Sequence, residues 1–221
     1  MGPSLRDEAR RIWTTFPKAT PEAAALARFL ADWPASASQP SREQIGSRAP
    51  LHPSALHPPA RPPLPALRWL PQLTLHAGRF GAAFLETLSA AAGSLAWRQT
   101  YTEDEVGEEF LRNYAWAELS RTGSGIGAAQ ISCGVLVLGP NTFYPPHRHE
   151  AEEIYLPLAG TAEWLKGDGA WRHRRPGTLI HHSSEETHAM RTGEQPLLAM
   201  YLWRSADLGQ SARLDHPGSA Q

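Results

Sequence analysis

The 221 residues include one cysteine, Cys133. No intrachain disulfide can form, which fits a reducing compartment. Cys133 sits in an apolar run, where a thiol packs as a small hydrophobe. An excess of charge is also missing: 21 Lys+Arg stand against 22 Asp+Glu, for a formal charge of -1. That balance gives no pull toward nucleic acid or an anionic membrane surface. There is no run of 18 apolar residues, so no membrane-spanning helix is expected. Residues 1–8 mix charges and lack the apolar stretch of a secretory signal. No repeat of 20–50 residues is present. What remains is the expectation of a cytoplasmic, soluble protein, long enough to bury a sizeable core. A homodimer is neither required nor excluded.

Tryptophan and proline are plentiful, at 8 and 20 residues. Tryptophan fills cores and also offers a face to cations. The prolines at 34, 40, 50, 53, 58, 59, 62, 63 and 65 bar any single regular element across residues 34–65. A loop wrapped on the domain is expected there, ending near Leu67, Trp69 and Leu70. Before it, residues 21–33 are Ala- and Leu-rich, with Thr20 as N-cap and Pro21 at the first helical position. Helical patterning returns at residues 80–92. Another helix opens at Thr102, where Thr102-Glu103-Asp104-Glu105 is a capping box. Phe110, Leu111, Tyr114, Ala117 and Leu119 are read as its buried stripe, and Gly123-Ser124-Gly125 as its end. From about Gln130 the chain turns into short apolar runs punctuated by Gly and Pro, the pattern of an antiparallel barrel or sandwich. The expected division is a helical region at 1–122 that includes the proline-rich stretch, a β domain at 123–206, and a polar tail at 207–221.

The chemistry concentrates in Pro146-His147-Arg148-His149, followed by Glu153 and Tyr155. If residues 147–155 run as a strand, His147, His149, Glu153 and Tyr155 share one face, because all are odd-numbered. Two histidines and a carboxylate at this spacing are metal ligands, with a phenol held beside them. A further ligand is His188, after Pro176-Gly177. Arg148 falls on the opposite face as a surface charge. His181 and His182 lie in a β run and are read as structural, and the acids from Glu103 to Glu109 as a solvated helix face.

These residues resemble the cupin superfamily. Phe143-Tyr144-Pro145-Pro146-His147-Arg148-His149 with Glu153, Tyr155 and Gly160 looks like the first cupin motif, and Pro176-Gly177 with His188 like the second. The second departs from the usual pattern: Ser183-Ser184-Glu185-Glu186-Thr187 replaces the common prolines, and the usual Asn after the histidine is absent. The resemblance implies a mostly β chain with N-terminal helices, folded around a cupin double-stranded β-helix barrel that holds a divalent metal in its mouth.

A narrower resemblance is to the cupin dimethylsulfoniopropionate (DMSP) lyases, which carry a Tyr-x-x-His-x-His-x-x-x-Glu-x-Tyr string. Tyr144, His147, His149, Glu153 and Tyr155 match it, and Trp203 matches a late-strand aromatic. The proline-rich segment at 34–65 takes no part in this resemblance. The implied activity is cleavage of DMSP, a small-molecule substrate, to dimethyl sulfide and acrylate by Tyr-initiated β-elimination. One divalent ion, of iron, nickel, manganese, cobalt or zinc, would sit on His149, Glu153 and His188 with His147 as fourth ligand. Tyr155 or Tyr144 would serve as base, and Trp203 or a tyrosine face would hold the sulfonium. Two other readings stay open: a metal cupin dioxygenase or isomerase acting on a small carboxylic acid, and a non-enzymatic small-molecule-binding cupin.

Overall fold

A computed structural model describes residues 4–15, 21–33, 63–122 and 129–215. Thr20 and the proline-rich stretch up to residue 62 lie outside the described residues. Five α-helices come first among them: α1 (Leu5–Thr14), α2 (Pro21–Ala31), α3 (Leu70–Leu73), α4 (Ala82–Ala91) and α5 (Glu103–Asn113). Ten strands follow: β1 (Tyr114–Thr122), β2 (Gln130–Leu138), β3 (Phe143–Arg148), β4 (Glu152–Ala159), β5 (Ala162–Lys166), β6 (Arg172–Arg174), β7 (Ile180–His182), β8 (His188–Thr192), β9 (Leu197–Ser205) and β10 (Arg213–Leu214). They form two five-stranded sheets, in the orders β1-β2-β9-β4-β7 and β10-β3-β8-β5-β6. Every named pairing is antiparallel.

Local chemistry sets the helix starts. The Glu105 carboxylate reaches back to accept from the Thr102 backbone N–H at 2.7 Å, one half of a capping box, and from the Thr102 hydroxyl at 2.8 Å. The Ser4 side chain caps α1 by accepting from Asp7 N–H at 3.2 Å. The end of the proline-rich stretch packs as expected: Ala66 and Leu70 are buried, and Trp69 Nε1 donates to Asn113 Oδ1 at 3.0 Å.

Two sequence expectations are corrected. The helix opening at Thr102 stops at Asn113, and Tyr114 to Thr122 is a strand rather than a helical stripe. Gly107, at φ 79, already interrupts the helix, and Phe110 is its buried residue. Strand β1 then pairs along β2, from Tyr114 opposite Leu138 to Thr122 opposite Ile131. The tertiary edge of β2 overrides a weak helical pattern there. Residues 147–155 are likewise not one strand. β3 ends at Arg148 in one sheet and β4 begins at Glu152 in the other, so residues 149–151 carry the chain between sheets.

The first sheet is buried on both faces, and strand parity sorts its side chains. On β4, Ile154, Leu156 and Leu158 pack toward the helices with Trp13, Phe29, Phe84, Leu85 and Leu88. On β9, Leu198, Met200 and Leu202 join that same layer. Each such side chain contributes about 1.5–3 kcal/mol by leaving water. The alternate residues Tyr155, Ala199 and Tyr201 face inward, where they meet Tyr144, Trp164, Ile180 and Met190 from the rest of the barrel. Gly134 is required by close approach: a Cβ there would lie 2.3 Å from Tyr201 Oη and 2.4 Å from the Ala117 carbonyl oxygen. The same parity that buries the helix-facing leucines turns Glu153, Tyr155 and Trp203 into the interior.

Candidate metal centre

Three buried side chains converge between the sheets. His149, Glu153 and His188 offer ligand atoms that all lie within 4.8 Å of one another. His149 Nε2 is 3.0 Å from Glu153 Oε2, and His188 Nε2 is 3.3 Å from the same oxygen. His149 comes from the crossing between β3 and β4, Glu153 from β4 and His188 from β8. His147, on β3, lies beside them, its ring centroid 4.2 Å from that of His188 and 6.5 Å from that of His149.

Backbone carbonyls orient all three histidines. Nδ1 of His147 lies 2.8 Å from the Pro145 oxygen, Nδ1 of His149 2.8 Å from the Ala151 oxygen, and Nδ1 of His188 2.8 Å from the Glu186 oxygen. A carbonyl only accepts, so each Nδ1 carries a proton and donates it, leaving Nε2 as the inward ligand atom. This is the outer-shell arrangement of metal-binding histidines. His188 Nε2 is buried with no hydrogen-bond partner. Two imidazoles, one of them with its inward nitrogen unpartnered, and a carboxylate fit a divalent first-row ion.

Glu153 is fully buried. Burial alone would raise its pKa, but the hydrogen bond and charge of His149, then the approach of His188 at 3.3 Å, hold it well below the usual carboxylate range. For His149, burial pulls the other way from Glu153, whose hydrogen bond and charge win and raise the imidazole above its ordinary value. The second Glu153 oxygen, Oε1, accepts from Trp203 Nε1 at 2.6 Å. The Trp203 indole also packs against the His149 ring, centroids 4.3 Å apart.

Both tyrosines expected at the site are present in its wall. Tyr155 follows Glu153 by two residues on the same face of β4, its ring centroid 6.4 Å from that of His188; burial first, then the Glu153 charge, pushes its phenol well above the ordinary value. Tyr144 stacks on His147, centroids 4.0 Å apart and planes within 7°. Its Oη is 3.0 Å from Tyr101 Oη, and burial, then the neighbouring Tyr101, raises its pKa as well. Tyr101 and Tyr114 were not expected here. Tyr101 precedes α5 and Tyr114 opens β1, and with Phe110 they pack around Tyr144. Burial pushes Tyr114 up to about 12 although Thr100 Oγ1 lies 2.8 Å from its phenol.

Of the two β-run histidines, His181 turns outward to Glu152 Oε1 at 2.8 Å. His182 turns inward and lies in the site. It is fully buried, and its ring stacks on His188 with centroids 4.1 Å apart and planes within 16°. The sequence signal for it was parity alone, since its register opposite Glu153 is a tertiary fact.

A two-sheet antiparallel barrel with a buried His/Glu cluster between the sheets is the cupin architecture. A family model for dimethylsulfoniopropionate lyase matches residues 40–199. The lyase DddQ of Ruegeria pomeroyi is 34% identical over 167 residues, 76% of this chain and 81% of that protein. The crystal structure of that DddQ aligns with TM-score 0.63 at 26% identity, covering 96% of this chain and 98% of the other. A solved structure from work on the DMSP lyases RdDddP and RnDddQII aligns with TM-score 0.68 at 30% identity, covering 96% of each chain. The chain therefore belongs to the dimethylsulfoniopropionate lyase family, and it is an enzyme of the lyase class. No helix among the described residues is long and apolar enough to cross a membrane.

Proposed function

We propose that this protein cleaves DMSP to dimethyl sulfide and acrylate in a metal-dependent β-elimination begun by a tyrosine. The observation that carries the reading is the position of Tyr155, on the Glu153 face of β4 with its ring centroid 6.4 Å from that of His188, beside the His149–Glu153–His188 cluster. A divalent ion on His149, Glu153 and His188, with His147 adjacent, would act as a Lewis acid toward the substrate carboxylate and favour the ionised form of a nearby phenol.

The protein's own groups then have defined tasks. The Tyr155 phenolate takes the proton alpha to the carboxylate. The C–H electron pair becomes the new C=C bond, and the C–S pair departs on sulfur. The products are acrylate and neutral dimethyl sulfide, and the proton rests on Tyr155 Oη. Tyr144 is the second candidate base, steadied by its stack on His147 and its bond to Tyr101. Trp203 has its N–H committed to Glu153 and one face against His149, so any hold on the sulfonium uses the remaining indole surface.

Headspace analysis of metal-loaded protein given DMSP tests the reaction. Replacing Tyr155 or Tyr144 with Phe should preserve metal content and cost at least about 10²-fold in turnover at whichever residue is the base. Activity should rise with pH as the phenol ionises. Full activity in both metal-loaded Phe variants refutes the tyrosine mechanism.

A further inference from the structure

His182 is a residue that the metal centre and the tyrosine mechanism leave unused. It sits on β7 opposite Glu153, facing the barrel interior. It is 0% exposed, and neither ring nitrogen has a hydrogen-bond partner among the described residues. Its ring lies flat on His188 and edge-on to Tyr155, 6.1 Å between centroids. Trp164 also stands 6.1 Å from Tyr155, and its Nε1 is likewise buried without a partner among the described residues.

An imidazole always carries at least one N–H, whichever tautomer or charge it holds. A buried donor left unmade costs its full desolvation, and an apolar residue would suit the position better on packing grounds alone. Among the described residues, then, no acceptor meets the buried N–H groups of His182 and Trp164. The substrate proposed above has acceptor atoms only at its carboxylate, because a dimethylsulfonium group neither donates nor accepts.

We propose that His182 is a substrate-positioning residue that donates a hydrogen bond to the substrate carboxylate. The inference rests on the lyase reading for the identity of the ligand. It assigns orientation to the β7 side of the site: the carboxylate lies toward His182 and Tyr155, with the sulfonium directed away from these donors. It also sets specificity, since a sulfonium without a carboxylate gains nothing from His182.

The test uses zinc-loaded protein and two probes, propionate and trimethylsulfonium, which carry the two ends of the substrate separately. His182→Phe keeps an aromatic ring of similar shape and removes both nitrogens. A hydrogen bond to a charged acceptor predicts that propionate binding weakens tenfold to a hundredfold, with trimethylsulfonium unchanged within twofold and zinc retained. His182→Asn, which restores an N–H, should recover part of the loss. Propionate binding unchanged within twofold in zinc-retaining His182→Phe overturns the proposal.

A second arm guards against a variant that loses zinc. In wild-type protein carrying 15N-histidine, propionate should shift the His182 ring signals and trimethylsulfonium should not. Signals that stay in place at saturating propionate, as for a ring satisfied by bound water, also overturn it. Wild-type protein that shows the propionate shift yet releases no dimethyl sulfide sinks the lyase reading and leaves the carboxylate site standing.

Discussion

Replacing Trp203 with Phe isolates one hydrogen bond at the centre of the site. Trp203 Nε1 donates to Glu153 Oε1 at 2.6 Å, and Glu153 is fully buried. A hydrogen bond to a charged group is worth about 1.5–3 kcal/mol, and a buried carboxylate oxygen left without its donor loses that amount. Phe keeps a ring against His149, whose centroid lies 4.3 Å from the indole, so most of the packing survives. The carboxylate would still face His149 and His188 through Oε2, but with its second oxygen free to rotate. Metal affinity is therefore expected to fall about 10–100-fold, the range seen when an outer-shell partner is removed. Competition against a chelator of known affinity measures it, with Tyr155→Phe as a parallel variant that leaves this contact intact. A dissociation constant within twofold of wild type would show that the indole N–H does not orient Glu153, and would refute the reasoning.

Metal uptake should compete with protons: Glu153 raises His149 against the effect of burial, so a protonated His149 must give up its Nε2 proton. Below that raised pKa, affinity should drop about tenfold per pH unit, and calorimetry in buffers of different ionisation enthalpy should register the released proton. Cys133 is fully buried and its thiol is pushed up to about 12 by that burial, so a thiol reagent at pH 8 should label only unfolded protein. Rapid labelling of the native state would contradict its placement against the helices. Gly134→Ala places a Cβ 2.4 Å from the Ala117 carbonyl oxygen, and backbone cannot swing aside as a side chain can. It should destabilise the fold by about 1–3 kcal/mol in denaturant unfolding, and a neutral effect would refute the close approach.

The candidate metal-site residues were legible in the chain because much of their spacing is local. His147, His149 and Glu153 fall within seven consecutive residues, and the capping box at Thr102 and the helix at Ala82–Ala91 follow from neighbours in sequence. Parity even survived a wrong premise: the chain leaves β3 before His149 and enters β4 after it, yet the odd-numbered residues still converge. Hydrophobic periodicity and ligand type act over a few residues, so the sequence by itself determined the antiparallel β domain, the His/Glu set and the tyrosines beside it. What it could not determine were contacts set by strand register. The Trp203–Glu153 bond spans 50 residues and depends on β4 pairing with β9. His182 enters the site only because β7 pairs with β4, and Tyr101 only because α5 and β1 hold it against Tyr144. Tyr114 belongs to a strand rather than a helix because the edge of β2 was there to pair with it. Such choices are made by long-range hydrogen bonds and burial between segments far apart in the chain, and no local pattern encodes which partner a strand edge will meet.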